Sequence, residues 1–107
     1  MDSFAFVYVD VLKYLISKGD RNKAVDYSTI IFEYCNQIFK RAQTHLYLDK
    51  YSEDSRGVTL IRFVKAVIIN FQTILTENKY DAEKMILSIK WNANVKPHIL
   101  SILNDNE

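Results

Sequence analysis

Arg41, His45 and Asp49 follow one another at intervals of four residues, which on a helix sets a cation, an imidazole and a carboxylate along one face. Such a set could do acid–base work, since catalysis needs convergent groups whose pKa can be shifted. The plainer reading is a solvated or helix-packing pair. His45 and Asp49 offer two metal ligands, whereas a structural site wants four, and no third ligand stands at motif spacing, so no metal is expected. The single cysteine, Cys35, lies on an apolar stripe and reads as a small core hydrophobe rather than a nucleophile. His98 beside Pro97 reads as a surface residue at a helix start. Two glycines cannot build a phosphate-cradling loop, so no nucleotide or other cofactor is expected.

The elements that carry these residues follow from composition and periodicity. The chain has 107 residues, 49% of them apolar, with 2 Gly and 1 Pro. That is one small domain with too little turn chemistry for a sandwich or barrel. The expectation is all-α: a single domain, residues 1–107, forming an antiparallel bundle of four principal helices plus a short C-terminal helix. Apolar spacing places the helices at about 3–18, 20–48, 58–76, 81–91 and 96–103. The stripe of the first is Val7, Val11, Leu12, Leu15 and Ile16, stopped by Gly19. Asp20 caps the second, whose stripe is Ala24, Tyr27, Ile31, Tyr34, Cys35, Ile38, Ala42 and His45. The polar run 49–57 turns the chain back, with Ser52, Asp54 or Ser55 available as a cap. The third helix is apolar over more than half its circumference and is expected at the centre of the bundle. Pro97 suits the first turn of the last helix.

Charge narrows the partners. Lys and Arg number 14 against 13 Asp and Glu, and neither half of the chain is a basic arm or an acidic tail. A nucleic-acid interface would require Lys13, Lys18, Arg21, Lys23, Lys40 and Arg41 to converge, since each phosphate contact needs a cation. Nucleic acid is therefore the less favoured partner. One cysteine precludes an intrachain disulfide and points to a reducing compartment, so a cytoplasmic location is expected. No apolar run reaches the 18 or more residues that a membrane span needs, and the apolar start lacks the cationic lead of a signal peptide. Abundant Ile, Asn, Lys and Tyr suit an AT-rich genome, microbial or viral.

Aromatic residues off the expected stripes supply the candidate contacts with a partner, because aromatics carry much of the energy at protein interfaces. These are Phe32, Phe39 and Tyr47, with Lys40 and Arg41 beside them. The surplus apolar arc of the third helix, around Phe63, Val67 and Ile74, is the candidate homodimer interface.

Several families share parts of this pattern. An Arg and a His on one helix resemble the pair of HEPN-type ribonucleases, although that motif sets the two further apart than the three residues Ala42-Gln43-Thr44 do here. The stretch Gly19-Asp20-Arg21-Asn22-Lys23-Ala24-Val25-Asp26-Tyr27 resembles the turn and helix start of tetratricopeptide or MIT-type helical pairs, which implies peptide binding between helices. Tyr27-Ser28, the stretch 43–49, Leu60-Ile61-Arg62 with Val64, and Asn78-Lys79-Tyr80 are similar to positions in bacteriocin immunity proteins of the enterocin A type. From Val58 onward the pattern also resembles the helical N-terminal domain of COMM-domain adaptors, without the strand-rich portion. What these resemblances share is a helical bundle. The expected function is a non-catalytic protein-binding module of inhibitor, immunity or adaptor type, with a HEPN-like ribonuclease using Arg41 and His45, or a nucleic-acid-binding dimer, as the alternatives.

Overall fold

The computed structural model describes residues 2–48 and 56–105, with side chains from 7 to 41 and from 62 to 104. It is all-α among those residues. The helices are α1 (Asp2–Ser17), α2 (Arg21–Leu48), α3 (Arg56–Glu77), α4 (Ala82–Leu87) and α5 (Lys96–Asp105). Asp49, most of the expected 49–57 turn, and the side chains of Ala42, His45, Tyr47, Leu60 and Ile61 lie outside the described residues. None of the described helices is long and apolar enough to cross a membrane.

Local chemistry sets the ends. Gly19 adopts φ 76°, the left-handed conformation that closes α1, and donates its N–H to Ile16 O at 3.0 Å. Asp20 then accepts from the Lys23 N–H at 3.0 Å and caps α2 as expected. The end of α3 is less ordinary, because a lysine takes the place where glycine is usual: Lys79 has φ 67°. The closing bonds, Tyr80 N–H to Leu75 O at 2.9 Å and Lys79 N–H to Thr76 O at 3.1 Å, satisfy carbonyls the helix would leave orphaned. Arg21 locks this turn to the start of α2, with its guanidinium 4.0 Å from the Tyr80 ring centroid and Nη2 donating to Lys79 O at 3.4 Å.

The fourth helix is shorter than its apolar spacing suggests, ending at Leu87 instead of Trp91. The Trp91 indole Nε1–H reaches back to Ile86 O at 2.7 Å, taking the carbonyl that the Lys90 N–H would need for the helix to continue. Asn36 of α2 holds the resulting loop from both sides, accepting from the Asn92 N–H at 3.0 Å and donating to Lys90 O at 3.4 Å.

The core lies where α3 meets α1 and α2, and it extends to α4 and α5. Phe71 is its hub: the ring of Phe32 meets it nearly edge-on at 5.7 Å, and that of Tyr27 lies 6.1 Å away. Leu12, Phe32, Phe39, Val64, Ile68, Phe71, Leu75, Ile86 and Ile99 are fully enclosed. Two stripes are turned from their expected orientation. On α1 the core takes Val9 and Leu12, with Tyr8, Leu15 and Ile16 half-buried, and leaves out Val7 and Val11. On α2 it takes Ser28, Phe32 and Phe39 with Ala24, Ile31 and Cys35, and leaves out Tyr34. At 100° per residue each rotation is roughly 50–60°.

These features carry two stability predictions. Phe71→Ala should destabilise the fold by about 3–5 kcal/mol, whereas Lys79→Gly should stabilise it by about 1 kcal/mol by relieving the left-handed backbone. Urea midpoints measure both. An unchanged midpoint in Phe71→Ala would contradict the hub, and a lowered one in Lys79→Gly would contradict the closing turn.

Candidate functional site

The expected interface residues are dispersed by the fold. Phe32 and Phe39 correct the expectation that they face a partner: both are fully buried, because α2 turns its aromatic edge onto Phe71 and onto α5. The Phe39 ring lies 5.0 Å from that of His98, so His98 helps seat α5. Lys40 and Arg41 are exposed on α2. Arg41 stands on the exposed side of its helix, and its proposed partner His45 has its side chain outside the described residues, as does Tyr47.

The dimer candidates on α3 are also corrected. Val67 and Ile74 are buried within the monomer, and Phe63 is half-buried with its ring 6.1 Å from that of Tyr8 on α1. The surplus arc of α3 is used within the monomer, where α1, α2 and α4 all pack against it.

Cys35 is enclosed, and burial pushes its thiol up to about 12, which keeps it a neutral thiol at physiological pH. Among the described residues no three His, Cys, Asp or Glu side chains converge as a metal site would require. A polar cleft between α2 and the α4–α5 loop is lined by Thr29, Glu33, Asn36, Gln37 and Lys90, and its central amide, Asn36, is already engaged on both atoms. The six cations that nucleic-acid binding would need do not share a face. Lys13 and Lys40 lie toward the far edges of α1 and α2, and Arg21 is spent on the Tyr80 turn.

What the fold assembles instead is apolar. Val7, Val11 and Tyr14 on α1 are 57%, 40% and 59% exposed, and Ile30 and Tyr34 on α2 are 62% and 50% exposed. The spacings i, i+4, i+7 and i, i+4 make each set a stripe. Tyr27 identifies where the α2 stripe lies, since its hydroxyl donates to the Tyr8 carbonyl of α1 at 3.3 Å. Successive positions around α2 on that edge are Ile38, Tyr27, Tyr34, Arg41 with Lys23, and Ile30; around α1 they are Tyr8, Leu15, Val11, Lys18, Val7 and Tyr14. With α1 and α2 antiparallel and both right-handed, these edges flank the same seam. The two stripes therefore lie on one face of the helix pair.

The signal for this face was present as an excess: each helix carries more apolar residues than a stripe facing one core requires, and only the rotation decides which are left out. No family model matches the chain, and neither does any curated protein or solved structure.

Burial of Cys35 has a consequence for pH. Its folded thiol titrates above the ordinary value of about 8.5, and the Tyr27 hydroxyl is raised too, by burial first and then by Tyr8. Stability from each group is complete below its unfolded pKa and is lost as pH rises through its folded one, for Cys35 toward about 12. The urea midpoint should fall between pH 8 and pH 11, and Cys35→Val should fall less steeply. Parallel profiles for the two proteins would contradict the thiol's part in this.

Proposed function

We propose that the chain is a non-catalytic protein-binding module of inhibitor, immunity or adaptor type, which engages its partner through the α1/α2 face. The observation that carries this reading is the set of five large apolar side chains left exposed along one seam. Scattered surface apolar residues are ordinary, whereas exposed apolar side chains grouped on one face favour a binding surface. Tyr14 and Tyr34 add aromatic area with a polar tip, the side chain that interfaces favour.

The face sits on two helices whose opposite sides are anchored in the core through Leu12, Phe32 and Cys35. Such a platform needs little reordering on binding, so more of its contact energy is retained. A buried thiol with no disulfide suits a reducing, cytoplasmic compartment.

Capture from a lysate of the source organism tests the reading. Wild type and a control variant on the exposed surface of α4, Glu83→Lys, should retain one stoichiometric protein, and Val11→Asp/Ile30→Asp should retain at least tenfold less while keeping the same circular dichroism and urea midpoint. Equal retention by the double variant, or no stoichiometric protein with wild type, would overturn it.

A further inference from the structure

We draw no further inference here: the strongest candidate, the exposed apolar surface of α1 and α2 around Val7, Val11, Tyr14, Ile30 and Tyr34, belongs to the site already described, and nothing in the structure shows what covers it, since Asp10, Asp20 and Asp26 stand beside Lys18 and Lys23 there and favour neither sign of partner.

Discussion

Phe71 decides how the bundle is assembled. It sits in the C-terminal third of a helix that is apolar over more than half its circumference, and such a helix must be covered on several sides at once. The ring of Phe32 wedges against it on one side and that of Tyr27 on another, so α2 has little freedom to rotate. Once Phe32 is seated, Phe39 follows two turns on and closes against α5, while Cys35 is enclosed between them. The same rotation lifts Tyr34 out of the expected core stripe and leaves Ile30 exposed beside it. The exposed apolar residues are thus a consequence of close packing elsewhere, since a densely filled interior cannot accommodate every apolar side chain of three long helices.

The helix ends show the same economy of means with almost no glycine. Gly19 closes α1 in the conformation that glycine adopts freely, but the matching position after α3 is Lys79. The strain there is offset by the Arg21 guanidinium, which grips both the Lys79 carbonyl and the Tyr80 ring. That contact ties the α1–α2 turn to the α3–α4 turn, and so holds one end of the bundle together. Asn36 does a similar service for the loop after α4, using both atoms of its amide.

Much of this was legible in the chain before any coordinates. The scarcity of Gly and Pro implied helices, and Gly19 and Asp20 marked the first turn, because these signals act within a few residues of where they are read. The end of α4 was not legible, since it depends on Trp91 turning back to Ile86 O, a contact that periodicity does not encode. Nor was the orientation of α1 and α2. Val7 and Val9, or Tyr34 and Phe32, are equally apolar in a pattern, and only the partner helix chooses between them. Phe32 and Phe39 lie off the stripe that spacing defines on α2, and the rotation that buries them leaves Tyr34 exposed beside Ile30 instead.

The account stands on that rotation, and hydroxyl-radical footprinting of the full chain in solution reads it most directly. Side-chain oxidation followed by mass spectrometry should show Tyr14 and Tyr34 reacting readily, with Phe32, Phe39 and Phe71 protected until the protein unfolds. Protection of Tyr14 and Tyr34 equal to that of Phe32 would mean that the seam is covered in the free protein, and would contradict an open α1/α2 face.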